Sequence, residues 1–195
     1  MSFIYCKKLR IFVLQNRIML GLGQKFPEFK KTAIMADKSF GEVSSQDHIE
    51  AGKWMVIFFY PKDFTFICPT EIVEFNNDHS KFTDLGAELY GASTDTAEVH
   101  LAWRVHDPKL GGLTFPLIED TSKSLSTDLG ILQAGGVPYR VTYIVDSEGI
   151  IQWVNSNNDG TGRNIAEVLR ALEATKNPGL TGCNWEPGQD LIIIK

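Results

Sequence analysis

The segment Lys53–Tyr60, KWMVIFFY, limits most sharply what this chain can fold into. Its apolar residues do not alternate with polar ones, the pattern of a strand buried on both faces. Such a strand needs helices packed above and below its sheet, and the following residues supply them. Pro61-Lys62-Asp63 ends the strand. From Cys68 onward, Ile72, Phe75 and Phe82 form a helical stripe, and Pro69, with no N–H to donate, suits a first helical turn. Glu88–Ser93 reads as a second strand. Thr94 or Asp95 is placed to cap a helix over Ala97–His106. Phe115–Ile118 reads as a short strand, and Ser122–Leu129 as a short helix closed by Gly130. Val141–Val145 and Ile150–Val154, joined by Ser147-Glu148-Gly149, form an antiparallel hairpin. Asn164–Thr175 is amphipathic, with Ile165, Val168, Leu169 and Leu172 on one side. The pattern predicts a single α/β domain with a mixed central β-sheet flanked by helices. No element is assigned before Lys53 or after Pro178.

Several function classes are excluded by composition. The chain has 195 residues, enough to bury a core without disulfide or metal staples. A net charge of −5 argues against a general nucleic-acid binder. No apolar stretch reaches the 18 or so residues that cross a bilayer, so no membrane span is expected. Cys6, Cys68 and Cys183 do not make a disulfide framework, which points to a reducing compartment, the cytoplasm, where any disulfide is catalytic. His79, His100 and His106 lack metal-ligand spacing and are read as structural. Without a G-x-G-x-x-G fingerprint, no bound nucleotide or flavin cofactor is expected.

The start of the chain differs from the rest. Residues 1–18 carry Lys7, Lys8, Arg10 and Arg17 and no acid; without those four charges the net charge moves from −5 to −9. A targeting segment and an N-terminal extension both fit a basic start. The longest apolar run, Ile11–Leu14, is too short for a signal-peptide core, which favours an extension with Met19 opening the domain. The domain is then 19–178, and 179–195 is a tail carrying Cys183. Cys6 is given no role.

The chemistry centres on Cys68, which follows a buried strand and a loop and opens a helix. A helix start offers unpaired N–H groups and the positive end of the dipole, both of which favour thiolate over thiol. Taken alone, Cys68 could equally be a small core residue. The string Pro61-x-x-x-Thr65-x-x-Cys68 points the other way. The Thr65 hydroxyl can sit beside the sulfur, accept a peroxide hydrogen and donate toward sulfur, while Pro61 closes the loop over it.

The stretch FFYPKDFTFICPTE resembles the peroxiredoxin signature, in the alkyl hydroperoxide reductase C or typical 2-Cys subgroup. The resemblance extends from about Leu20 to about Trp185. It implies a thioredoxin-like fold and a thiol-dependent peroxidase acting on hydrogen peroxide and small organic hydroperoxides. It implies that Cys68 is the peroxidatic cysteine and that Pro61 and Thr65 are active-site loop residues. Arg140, in VPYRVTYIVD, matches the arginine facing the sulfur. Glu71 matches the carboxylate orienting that arginine, and Arg163 a second arginine near it. Cys183, in Gly-Cys-Asn-Trp, matches the resolving cysteine. Spacing leaves open whether the Cys68–Cys183 bond lies within one chain or between two; the resemblance favours two, in a head-to-tail homodimer that assembles to a decamer. The resemblance implies a separate thiol reductant and leaves three open: thioredoxin, an AhpF-type flavoprotein or an AhpD-like adaptor. A redox-sensing or holdase-chaperone oligomer is the alternative function.

A lowered thiol pKa cannot by itself supply a fast reaction. Dropping it from about 8.5 to about 6 raises the thiolate fraction at pH 7 roughly 30-fold. The weaker nucleophile loses roughly 10–18-fold of that. The transition state itself must therefore be stabilised; Arg140 and the backbone N–H groups at Cys68 are the donors suited to the departing oxygen, and Thr65 can position the peroxide.

Two features depart from the sulfinylation-sensitive eukaryotic members, which carry a Gly-Gly-Leu-Gly loop and a C-terminal helix with Tyr-Phe. Here the loop is Gly111-Gly112-Leu113-Thr114, and no Tyr or Phe follows Cys183. Resistance to overoxidation is the expectation.

Overall fold

A computed structural model describes residues 18–194; Cys6 lies outside them, as does nearly all of the basic N-terminal segment. Among the described residues, seven strands form one mixed sheet: β1 (Lys30–Ile34), β2 (Phe40–Ser44), β3 (Trp54–Phe59), β4 (Ala87–Ser93), β5 (Leu117–Glu119), β6 (Arg140–Val145) and β7 (Ile151–Asn157). Their order is β2-β1-β5-β4-β3-β6-β7. The central β3, β4 and β5 are parallel, and the outer pairings are antiparallel.

The continuous apolar character of β3 follows from its place in the centre. Val56 and Phe58 enter a core on one face, and Met55, Ile57 and Phe59 enter a second core on the other. The first core holds Cys68 and is covered by α2 (Cys68–Asn77), α3 (His79–Asp84) and α6 (Ile165–Lys176). The Phe58 and Phe75 rings stack at 4.0 Å and hold α2 against β3. Gly91 of β4 leaves room for this packing, since a Cβ there would stand 2.8 Å from the Phe58 ring.

The hairpin β6–β7 and α4 (Ala97–His106) form where the sequence places them. Three points differ. Thr96, not Thr94 or Asp95, caps α4 by accepting from the Val99 N–H at 3.3 Å. Asp95 instead accepts from the Asp63 N–H at 2.9 Å and the Ser93 hydroxyl at 2.8 Å. The stripe from Cys68 to Phe82 runs over two helices, because the chain turns at Asp78; both pack on the same core, which keeps the stripe continuous. The third point is the region before Lys53, where β1, β2 and α1 (Ser45–Glu50) form. The two strands are short and only partly buried, so they show no strong apolar run. A capping box at Ser44 and Asp47 starts α1 and was the legible signal there.

Candidate active site

Cys68 is fully buried at the first position of α2. Ile67 stands at the N-cap without a side-chain cap, and Pro69 lies in the first turn. The sulfur therefore sits at the positive end of a ten-residue helix. The loop after β3 leads to it, and β6, paired with β3, delivers Arg140 at its first position.

The Arg140 guanidinium joins three partners. Its NH1 donates to Cys68 Sγ at 3.3 Å and to Glu71 Oε2 at 2.7 Å, while Nε donates to the Asp159 carbonyl at 2.9 Å. Burial opposes the Arg140 charge, but the Cys68 and Glu71 contacts outweigh it and hold its pKa above the ordinary value. Glu71 lies one helical turn after Cys68, on the same side of α2. Its second oxygen accepts from the Arg163 backbone N–H at 3.1 Å and lies 3.7 Å from Arg163 Nε.

Arg163 has a fully buried side chain that donates to the Phe59 carbonyl and lies over the Phe58 ring at 5.4 Å. Burial pushes its pKa down to about 10, with the Glu71 charge acting against that shift. Glu71 is thus the only carboxylate shared by two arginines at the sulfur, among the described residues.

The loop from Pro61 to Ile67 leads to the sulfur. Pro61 is half-buried just after β3. The Thr65 hydroxyl donates to the Lys62 carbonyl at 2.9 Å, so its hydrogen is engaged within the loop rather than aimed at sulfur. Its lone pairs remain available to accept. Phe64 adopts a left-handed backbone, φ 54°, and packs its ring against Trp103 and His106. Phe66, two residues before Cys68, is 95% exposed and turns away from the core that buries the sulfur.

One buried cluster escaped the sequence reading. Asp63 accepts from the Tyr60 hydroxyl at 2.9 Å and contacts His100 Nδ1 at 2.7 Å. His100 Nε2 faces the Ile118 carbonyl at 3.2 Å. This anchors the middle of the loop to α4 and β5. The Tyr60-x-x-Asp63 spacing directly after the buried strand was its only local signal. His100 thus ties the loop to the strand below it, and no group of three His, Cys, Asp or Glu residues that could hold a metal occurs among the described residues.

Cys183 is exposed on the tail and is a free thiol, as is Cys68. Trp185 anchors that tail: it is buried, its indole N–H donates to the Gln189 carbonyl, and its own carbonyl accepts from Arg170 at 3.3 Å.

A buried cysteine at a helix start, met by an arginine that a carboxylate orients, is an arrangement for reacting sulfur. The family model described as AhpC/TSA matches residues 22–154, more than half of the chain and inclusive of Cys68 and Arg140. The chain belongs to the AhpC/TSA family. Within that family, alkyl hydroperoxide reductase C of Mycolicibacterium smegmatis is 40% identical over 185 residues, covering 89% of this chain and 94% of the relative. The chloroplastic 2-cysteine peroxiredoxin of Chattonella marina var. antiqua is 42% identical over 175 residues, covering 86% and 89%. The reduced 2-Cys peroxiredoxin of Plasmodium vivax superposes with a TM-score of 0.83 at 34% identity, covering 88% of this chain and 92% of that one. The AhpC/TSA family fold is thioredoxin-like, and the mixed sheet described above is its form here.

Proposed function

We propose that the chain is a thiol-dependent peroxidase whose nucleophile is Cys68. The observation that carries this reading is the Arg140 NH1 contact with both Cys68 Sγ and Glu71. The Cys68 thiolate attacks one peroxide oxygen, an S–O bond forms, and the O–O bond breaks. The departing oxygen takes a proton and leaves as water or an alcohol, and Cys68 becomes a sulfenic acid. Arg140 offers N–H donors where negative charge grows on that oxygen, and Thr65 accepts from the peroxide hydrogen. Glu71 and Arg163 position Arg140 without touching the peroxide.

Cys183 then attacks the sulfenic sulfur, a disulfide forms and water leaves. Because Cys68 is fully buried and Cys183 lies on an anchored exposed tail, both segments must open locally for the sulfurs to meet. Two surfaces support an assembly in which that bond joins two chains. The outer edge of β7 has no strand neighbour among the described residues. Phe64, Phe66 and Val105 expose 54%, 95% and 68% of their surface on and beside the Cys68 loop. A homodimer through the strand edge and a decamer through the apolar patch fit these features. The disulfide returns to thiols through a separate dithiol donor: thioredoxin, an AhpF-type flavoprotein or an AhpD-like adaptor. A reducing cytoplasm supplies such donors, and no helix among the described residues is long and apolar enough to cross a membrane.

One equivalent of hydrogen peroxide added to the reduced protein, followed on non-reducing gels, tests the cycle. A linked dimer that is lost in both Cys68→Ser and Cys183→Ser supports it. Thiol loss without a dimer places the bond within one chain or makes Cys183 a bystander, and loss of the Cys183 thiol as well as that of Cys68 distinguishes the two. Persistence of both thiols under peroxide rejects the reading.

A further inference from the structure

Arg140 is held from the side opposite the sulfur by a contact that none of the matched motifs contains. The loop before β6 folds back on itself: the Tyr139 N–H donates to the Ile131 carbonyl, the Gln133 N–H to Val137 and the Gly136 N–H to Gln133, each at 2.9 Å. This places the half-buried Gln133 side chain beside the turn that leaves β7. Its amide nitrogen donates to Asp159 Oδ1 at 2.8 Å and to the Pro138 carbonyl at 3.2 Å. The backbone carbonyl of that same Asp159 accepts from Arg140 Nε at 2.9 Å.

We infer that Gln133 is a positioning residue for the peroxidase reaction, bracing Asp159 so that its carbonyl fixes the plane of the Arg140 guanidinium. The inference rests on the peroxidase reading above. A guanidinium is a flat fork, and one contact cannot fix its plane. NH1 is shared between Cys68 and Glu71, so a contact at NH1 alone lets the plane pivot about that corner. The Nε contact is the second point of attachment. Asp159 itself is exposed in the turn between β7 and α6, where its N–H donates to Asn158 Oδ1 at 2.8 Å, and a tie to a second loop is what links this turn to the segment that carries Arg140. Gln133 supplies that tie, and its second bond to Pro138 fastens the same brace two residues before Arg140. The effect falls on the departing oxygen, where donor direction matters, more than on the sulfur.

The test compares two reactions of reduced, full-length protein: second-order oxidation by hydrogen peroxide and alkylation by iodoacetamide. Alkylation needs the same sulfur but expels iodide, not an oxygen that Arg140 must stabilise. Gln133→Leu should slow the peroxide reaction about tenfold, as expected for a misaligned donor, and alkylation by less than about twofold. Asp159→Ala should lose the same amount, the double variant no more than either, and Asp159→Asn, which keeps an oxygen acceptor, little. Thermal melting checks that each variant is folded. Gln133→Leu reacting with peroxide as fast as wild type overturns the brace. So do a parallel fall in both reactions and additive losses in the double variant. Wild type reacting no faster than free cysteine is a distinct outcome, which overturns the peroxidase reading and the brace with it.

Discussion

The guanidinium of Arg140 donates to the sulfur of Cys68 across 3.3 Å, from a strand separated by 72 positions in the sequence. The same NH1 is 2.7 Å from Glu71, so the donor that faces the sulfur is itself aimed by a carboxylate on the helix that Cys68 opens. The arrangement gives the reacting sulfur an adjacent planar cation before any peroxide arrives.

Replacing that cation by a point charge should separate charge from geometry. Arg140→Lys keeps the charge but loses the fork, and the peroxide rate constant should fall about 10²–10³-fold. Stopped-flow oxidation of the reduced variant measures it. A loss confined to the change in thiolate fraction, read from the pH dependence of alkylation, would show that the fork does not matter.

Glu71 carries a structural load as well. Its side chain is 2% exposed and sits against Arg140 at 5% and Arg163 at 0%. Glu71→Gln leaves two buried arginines facing each other without a counter-charge. Urea unfolding should show a loss of about 3–5 kcal/mol, the usual result of breaking a buried ion pair from one side. A loss below about 1 kcal/mol, the range of exposed pairs, would contradict this.

The Asp63–His100 pair predicts a pH dependence of stability. Burial lowers the His100 pKa, but the Asp63 hydrogen bond and charge outweigh it, and the net shift is upward from 6.5. Burial also raises Asp63 above its ordinary 3.8, against the opposing pull of His100. In both cases the folded chain holds a proton more tightly than the unfolded chain. The His100 contribution is therefore complete below about pH 6.5 and is lost as pH rises through the raised folded value. Urea midpoints of wild type and His100→Asn should differ more at pH 6 than at pH 9. A gap that stays constant, or widens at pH 9, would contradict the assignment.

The proposed resolving role of Cys183 predicts how the protein meets excess peroxide. No helix follows α6 among the described residues, and the segment around Cys183 is held by a single isolated bridge, Leu180 to Ile192, and by the Trp185 contacts. In the proposed cycle these few ties open readily, and Cys183 meets the Cys68 sulfenic acid before a second peroxide does. Activity should survive many turnovers in excess peroxide, and Cys183→Ser should accumulate sulfinic acid at Cys68 by mass spectrometry. Sulfinic acid building up in the wild type during turnover would refute the expected resistance.

Much of this was legible in the chain because the decisive signals are local. The two-faced strand, the hairpin and the helix start at Cys68 each follow from spacing and turn residues within a few positions. The cap of α4 was displaced by one or two residues, since Thr94, Asp95 and Thr96 all offer an oxygen and only the backbone path selects Thr96. The exposure of Phe66 has no local signal either: an aromatic beside a cysteine can face in or out, and here the loop turns it out. The Asp63–His100 pair and the Gln133–Asp159–Arg140 chain join residues 37, 26 and 19 positions apart. Contacts of that kind exist only once the sheet is assembled, and no periodicity in the sequence encodes them.

The most direct measurement is the rate constant of reduced wild-type protein with hydrogen peroxide, set beside its rate with iodoacetamide and both rates for free cysteine. An active site built around the Cys68–Arg140 contact should favour peroxide over free cysteine by at least about 10³-fold, with alkylation within about tenfold of it. A protein that gains equally in both reactions, or in neither, would contradict the claim that this geometry stabilises the departing oxygen.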